Sequence, residues 1–352
     1  MSTLPVWAHA WGEPLGRATV AARPGDFQVD ECLGFAPEGE GPHLLVRIRK
    51  SLLSTSRAMH ALARHWQVDR RDMGHAGRKD RQALTTQWLS VSWRPGEPLP
   101  EAGSIPLEQE PEATLEVLEI IRHRRKLPVG ALAGNQFRLT LRDVDAPACA
   151  LQARVVAIAR HGVPNYFGPQ RFGRDGENLT RARQWLAGTA RPRSRNDRSM
   201  LLSAARAAGF NEVLAMRVRA GDWGDAAPGE ILMLDGRSSL FTAEASDAAQ
   251  NRCRAAGLRV HPTGPLPGAP RRGLSLPDAL AERESMALRA WADMVDGLTE
   301  KRVEADRRAL RLSVHSLAAR QLEAGIWQLS FRLTRGAYAT AVLRELVRWD
   351  TP

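Results

Sequence analysis

Sheet-forming periodicity in this chain stops near residue 160 and resumes near residue 327, a pattern that suggests one domain interrupted by another. Over 43–50, Leu44, Val46 and Ile48 fall on one side and Arg47 and Arg49 on the other, as in a half-buried strand with a basic outer face. Met59, Leu62, Ala63 and Trp66 recur at helical spacing and predict an amphipathic helix over 55–68. Residues 88–93 and 115–121 read as strands, Phe137, Leu139 and Leu141 share one face of another over 137–142, and 150–161 reads as a helix. Helical patterns then dominate over 178–186, 199–219, 243–256 and 276–295. They are joined by loops such as 191–198 and the proline- and glycine-rich 261–270, which reads as a hinge or an extended connection. Finally Trp327, Leu329, Phe331 and Leu333 alternate with polar residues, and 338–349 reads as a closing helix. A length of 352 residues suits about two domains at roughly 150 residues each. The expected architecture is α+β, with a discontinuous domain over 1–160 and 308–352 interrupted by a helix-rich domain over 161–307.

Charge narrows the class of partner. The formal net charge of +11 and a pI near 10.7 favour an anionic one. Only four of the 50 basic residues are lysines, at positions 50, 79, 126 and 301. Arginine suits bidentate phosphate contacts and stacking on bases. Cys32, Cys149 and Cys253 lie far apart, with no C-x-x-C pair, so neither a zinc cluster nor a disulfide framework is expected, and free thiols in a reducing cytosol are. No run of about 18 apolar residues predicts a membrane span. The N-terminus lacks the apolar core of a secretory signal, and the expected location is cytoplasmic. His60 and His65 lie five apart, H-E-x-x-H is absent, and there is neither a phosphate-binding loop nor a dinucleotide fingerprint. The expectation is no metal and no cofactor. No heptad stripe calls for a second chain, so a monomer without an obligate protein partner is expected.

The segment Ala76-Gly77-Arg78-Lys79-Asp80-Arg81-Gln82-Ala83 sets one carboxylate among three cations, just after a glycine. Nearby positive charge favours the anionic form of a carboxylate, the form a nucleophile needs. The same cations could hold the phosphates of a polyanionic substrate. A Lys-Asp-Arg run is more often a solvated turn, so the pattern by itself leaves both readings open.

Five further segments agree with it in order and spacing. They are 24–31 around Asp26 and Phe27, 39–50 ending at Lys50, 122–137 from Arg122 through Asn135 to Phe137, 164–173 (Pro164 to Gly173), and 338–346 from Tyr338. Together with 76–83, and with Thr85 and Gln87 just beyond, they resemble the TruD family of tRNA pseudouridine synthases across about residues 20 to 346. The resemblance implies a pseudouridine-synthase core, a mixed and largely antiparallel sheet with helices, interrupted by a helix-rich TruD-type insertion. It implies isomerisation of uridine to pseudouridine in tRNA, with uridine 13 as the target and Asp80 as the catalytic aspartate. A target base must leave its stack to reach such a carboxylate, so Asp80 is expected on the floor of a pocket.

Phe27, Phe137 and Tyr338 match the family's substrate-contacting positions, where a base–aromatic stack contributes about 1–3 kcal/mol. Asn135 matches its base-contacting asparagine, whose amide can both donate to and accept from uracil. Phe137 also lies on an alternating strand, which leaves core packing open for it. Phenylalanine is familiar at position 338, where this chain has tyrosine. Ala21 and Ala22 stand where the family often has a lysine, leaving Arg17 or Arg23 to supply that charge. Arg78, Lys79, Arg81, Arg124, Arg125, Lys126, Arg171, Arg191, Arg193 and Arg195 are candidates for the RNA backbone. Asn165, Tyr166, Phe167, Gly168, Phe172 and Gly173 are expected to be structural residues near the RNA. His75 could assist Asp80, although a structural role suits it better. The rival reading is a non-catalytic RNA-binding protein on the same scaffold; the intact 77–80 segment favours the enzyme.

Overall fold

The computed structural model describes residues 4–350 except 109, 272 and 274. In chain order the strands are β1 (Arg17–Val20), β2 (Phe27–Leu33), β3 (His43–Ser51), β4 (Met73–His75), β5 (Leu84–Ser92), β6 (Gly103–Ser104), β7 (Thr114–His123), β8 (Leu132–Arg142), β9 (Val163–Pro164), β10 (Ile231–Leu234), β11 (Leu240–Thr242), β12 (Val260–Leu266), β13 (Asp306–Ala309), β14 (Arg311–Leu312), β15 (His315–Glu323), β16 (Ile326–Thr334) and β17 (Arg348–Asp350). The α-helices are α1 (Thr55–His65), α2 (Ala148–His161), α3 (Glu177–Leu186), α4 (Arg195–Ala220), α5 (Ala248–Ala256), α6 (Asp278–Leu288), α7 (Ala292–Glu300) and α8 (Ala339–Leu343). The chain divides into two units, each assembled from three stretches. The sheet unit is Leu15–Val156, His315–Gly336 and Val347–Pro352; the helical unit is Met1–Pro14, Ala157–Val314 and Ala337–Leu346. Among the described residues no helix is long and apolar enough to cross a membrane.

Eleven strands make the sheet unit. The path runs β15-β16-β8-β2-β5-β3-β7-β6, with β1 between β8 and β17 and β4 along β5. Among the described residues only β2–β5 and β1–β17 of this sheet pair in parallel, so the sheet is mixed and largely antiparallel, the α+β class expected from sequence. Register explains which residues meet. Leu44, Val46 and Ile48 of β3 face Val91, Leu89 and Gln87 of β5, and facing residues in a register share one side of the sheet. Ala58, Met59, Leu62 and Ala63 of α1 close over that side. Burying each such large apolar side chain contributes roughly 1.5–3 kcal/mol. The Ser54 hydroxyl accepts the Arg57 N–H at 3.3 Å and so starts α1, satisfying one orphan donor of its first turn. Lys50 continues the alternation of Leu44, Val46 and Ile48, and is therefore carried to the apolar side, where it is fully buried.

In the helical unit the 26-residue α4 supplies the core with Ala204, Ala207, Ala208, Phe210, Leu214 and Ala215. Ser194 caps it by accepting the Asp197 N–H at 3.1 Å, and Gly221 ends it at φ 77°, a backbone that favours glycine. A four-stranded antiparallel sheet, β11-β10-β12-β13, belongs to the same unit.

The structure departs from the sequence reading at several places. Residues 261–270 are not a hinge: β12 covers Val260–Leu266, between two partners. Its prolines are tolerated because the partners divide the strand. β10 pairs with Val260 to Pro262 and β13 with Thr263 to Leu266, and the Pro262 carbonyl accepts the Leu310 N–H at 2.8 Å. The stretch 338–349 is not one helix. α8 stops at Leu343, and β17 pairs in parallel with β1 through Arg17–Arg348. The 276–295 pattern breaks into α6 and α7 about a 3₁₀ turn at Arg289–Trp291, and the 191–198 loop already becomes helix at Arg195. The division into units also differs from the expected limits at both ends. Trp7 packs on Tyr166 and Phe172, with ring centroids 6.2 and 5.4 Å apart. The buried Glu345 accepts the Ala10 and Trp11 N–H groups at 2.9 and 3.2 Å. These contacts draw Met1–Pro14 and Ala337–Leu346 into the helical unit.

Candidate active site

β3 occupies one edge of β5 from end to end. On the other edge β2 pairs only with Leu84 to Thr86 and β4 only with Leu89 to Val91, so Gln87 and Trp88 have no strand beside them there. Glu31, next along β2, fills the gap. Its Oε1 accepts the Trp88 N–H at 3.0 Å, and its Oε2 pairs with the Lys79 ammonium. Both side chains are interior, at 0% and 7% exposure. A buried ion pair of this kind is held by added hydrogen bonds, which the Trp88 amide supplies.

The loop joining β4 to β5 carries Asp80, and its backbone is pinned from several directions. The Ala76 carbonyl accepts the Gly130 N–H at 2.6 Å. The Lys79 N–H donates to Thr55 Oγ1 at 3.0 Å, and the Thr55 hydroxyl donates to Gln87 Oε1 at 2.9 Å. The Lys50 ammonium donates to the Asp80 carbonyl at 2.8 Å, and Arg81 Nε to the Leu52 carbonyl at 3.2 Å. Burial pulls the Lys50 ammonium down to about 8 from its ordinary 10.5, against the opposing pull of the Asp80 charge. The Asp80 side chain itself points outward. It is exposed, with Oδ1 accepting the Gln82 N–H at 3.1 Å. The expected pocket floor is thus corrected within this unit: the anchors grip the backbone at Asp80 and leave its carboxylate in the open.

Asn135 stands directly across from Glu31 in the β2–β8 register. Its Oδ1 is buried and accepts no hydrogen bond, an unpaired acceptor of the kind a bound donor would satisfy. Phe137, two residues on, is 6% exposed, stacked on Phe331 at 5.3 Å and edge-on to Phe27 at 6.3 Å. Phe137 is therefore a core residue that backs the half-buried Phe27. The entry to β2 is fixed by Asp26, which takes two bonds from Arg142 at 2.8 and 2.9 Å and one from the Arg23 N–H at 3.0 Å. The Arg142 guanidinium holds the Asp26 carboxyl below its ordinary value. Burial likewise lowers the His75 imidazole below its own.

Among the backbone candidates, Arg78, Arg81 and Arg125 are exposed. Lys79 is a correction: its ammonium is buried against Glu31 and cannot reach a phosphate. Arg124 is engaged by Glu40 and Glu38, and Lys126 by the Arg71 carbonyl. Tyr338 belongs to the helical unit, where Arg171 donates to its hydroxyl and also to Ser203 Oγ at 3.0 Å. Arg308 lies 4.3 Å over the Phe167 ring and donates to Asn165 Oδ1 at 2.6 Å, while Asn165 donates to the Ala309 carbonyl at 2.8 Å. Tyr166, Phe167 and Phe172 are buried, so the 164–173 block is packing and carries no exposed stacking face. A cavity of about 220 Å³ beside it is lined by Gln170, Arg171, Asn178, Met200 and Tyr338.

Glu31, Lys50, Thr55 and Gln87 were not among the site candidates read from sequence. The alternation along β3 is the one signal that marks Lys50, because it places a lysine on the leucine side of the strand.

The model of the family "tRNA pseudouridine synthase D (TruD)" matches residues 13–182 and 177–346. A tRNA pseudouridine synthase D of Nitrosococcus oceani is 45% identical over 345 residues, 97% of this chain and 94% of that protein. One of Methylococcus capsulatus is 43% identical over 343 residues, again 97% and 94% of the two chains. Among solved structures, a Methanosarcina mazei protein provisionally assigned to the same enzyme superposes with a TM-score of 0.72 at 21% identity, covering 98% of this chain and 96% of that one; this likeness bears on the fold alone. With a family model and relatives that agree over nearly its full length, the chain belongs to the tRNA pseudouridine synthase D family.

Proposed function

We propose that this chain isomerises uridine to pseudouridine in tRNA, with position 13 as the target and Asp80 as the nucleophile. The reaction breaks the bond from ribose C1′ to uracil N1 and makes one from C1′ to C5; the C5 hydrogen leaves as a proton and N1 gains one. No electron donor or group donor enters, and the reading requires no metal, cofactor or second protein chain. The observation that carries it is the Asp80 carboxylate standing exposed on a loop whose backbone is held by Lys50, Thr55 and the Glu31–Lys79 pair. Fixing a reacting group before the substrate arrives lowers the barrier by removing orientational freedom that would otherwise be lost in the transition state. A nucleotide that has left its stack meets this carboxylate at the surface. The unpaired Asn135 Oδ1 suits the uracil N3–H, and the half-buried Phe27 ring offers a stacking face. Exposed Arg78, Arg81 and Arg125 suit the RNA backbone.

Asp80→Asn keeps the shape and the Gln82 contact but removes the charge. It is expected to abolish tritium release from 5-tritiated uridine in tRNA while binding stays within about threefold, since binding rests on phosphate contacts elsewhere. Turnover near the wild-type rate would take Asp80 out of this role. Mapping pseudouridine in cellular RNA with and without the protein tests the choice of position 13.

A further inference from the structure

In the helical unit, an open basin of about 570 Å³ is lined by Trp185, Arg191, Pro192, Ser194, Arg195, Arg198 and Lys301. Four of these residues are cations and none is acidic. They come from two stretches more than 100 residues apart in sequence, so the run of arginines at 191–198 does not by itself account for the grouping. None of the four forms an ion pair among the described residues. Other arginines of the same unit do: Arg181 with Asp197, Arg183 with Asp293, Arg217 with Asp222, and Arg307 with Glu284. The floor of the basin is Trp185, 8% exposed, with the Arg198 guanidinium 5.9 Å from its ring. That contact restrains Arg198 while leaving its donors unused. Arg193 is not part of the lining; its backbone N–H serves Asp197 at 2.7 Å.

We infer that this basin is a subsite for the phosphates of the RNA backbone, built from Arg191, Arg195, Arg198 and Lys301. The inference rests on the proposed tRNA substrate. Guanidinium forks match phosphate oxygens in pairs, and uncompensated cations gain most from meeting them. Trp185 is buried and Pro192 half-buried, so the lining lacks the large exposed apolar anchor that a protein hot spot or an inserted membrane face would use. Its one side-chain acceptor, the Ser194 hydroxyl, already takes the Asp197 N–H at 3.1 Å, and the four cations suit phosphates, so it sets the position of the RNA and does not select its sequence.

The double variant Arg195→Gln/Lys301→Gln takes one cation from each stretch. Its control is Arg183→Gln/Arg271→Gln, which removes the same charge from exposed arginines already paired with Asp293 and Asp306. Binding of a tRNA transcript is measured across monovalent salt, after matching melting temperatures. The expected result is a log–log salt slope reduced by about 1.4–1.8, which at roughly 0.1 M salt is an affinity loss of about thirtyfold. The control should move affinity less than about twofold. An unchanged slope, or an equal loss in the control, overturns the subsite. So does a variant that loses affinity for phosphatidylserine vesicles while its RNA slope stays at the wild-type value. Arg191→Gln/Arg198→Gln gives an independent reading if the first double is unstable. Because the readout is binding, it stands even if the wild-type protein makes no pseudouridine, an outcome that would sink the enzyme reading alone.

Discussion

Lys50 sits where the alternation of β3 would put a leucine, and its ammonium ends on the carbonyl of Asp80. Burying a charge costs several kcal/mol unless it is bonded and paired. Here one carbonyl and the nearby Asp80 charge offset only part of that cost, and the ammonium is accordingly pulled down to about 8. The folded value lies below the unfolded 10.5, so between these values the unfolded chain binds the proton more tightly and stability rises with pH. Below about 8 the cost is present in full. Lys50→Met removes it. The difference in unfolding free energy, wild type minus variant, is therefore expected to shift by about 3 kcal/mol toward the wild type from pH 7.5 to 10.5. Urea unfolding across that window measures it, and a flat difference would mean that the ammonium is solvated. The same variant leaves the Asp80 carbonyl without its donor, and a misplacement of about 1 Å lowers turnover by roughly 100-fold. Tritium release at saturating tRNA checks that loss.

At the level of elements, the loop from β4 to β5 has no regular structure, yet it is tied to β2, β3 and α1 by side chains. Glu31 replaces a missing length of strand beside Trp88. Glu31→Gln keeps an acceptor for that amide but strips Lys79 of its counter-charge, and losing one partner of a buried pair costs about 3–5 kcal/mol. Urea unfolding of the variant should show this loss; a change below about 1 kcal/mol would place the pair at the surface. Much of this unit was legible beforehand, because strands alternate with period two, cleanly over 327–333 and imperfectly over 43–50. The clamp was not legible, since Glu31, Lys50, Thr55 and Gln87 meet only through register and a helix start, which no local pattern encodes. Lys79 looked like a phosphate contact because its partner lies 48 positions away. β12 was hidden by Pro262 and Pro265, and β10 and β11 are only four and three residues long. The closing helix was over-read because 342, 343, 346 and 347 keep helical spacing up to the point where β1 captures Arg348.

Across the whole molecule, neither unit is a continuous piece of chain. The fragment 157–314 contains most of the helical unit but lacks Trp7, Ala10, Tyr338 and Glu345, which pack on or bond within its core. Losing the aromatic cover of Tyr166 and Phe172 alone forgoes roughly 3–5 kcal/mol, a large part of a domain's stability. The isolated fragment is expected to melt non-cooperatively, and a sharp transition by circular dichroism at the temperature of the intact protein would contradict that. The interleaving also bears on how the protein is made. Eight of the eleven strands of the large sheet leave the ribosome early, but β15, β16 and β17 follow only after the whole of Ala157–Val314. β8 must wait for β16, and β1 for its parallel neighbour β17, until translation is nearly finished. The nascent sheet therefore carries unpaired edges throughout the synthesis of the helical segment, which makes a trigger for premature aggregation, and a need for chaperone cover, part of this topology.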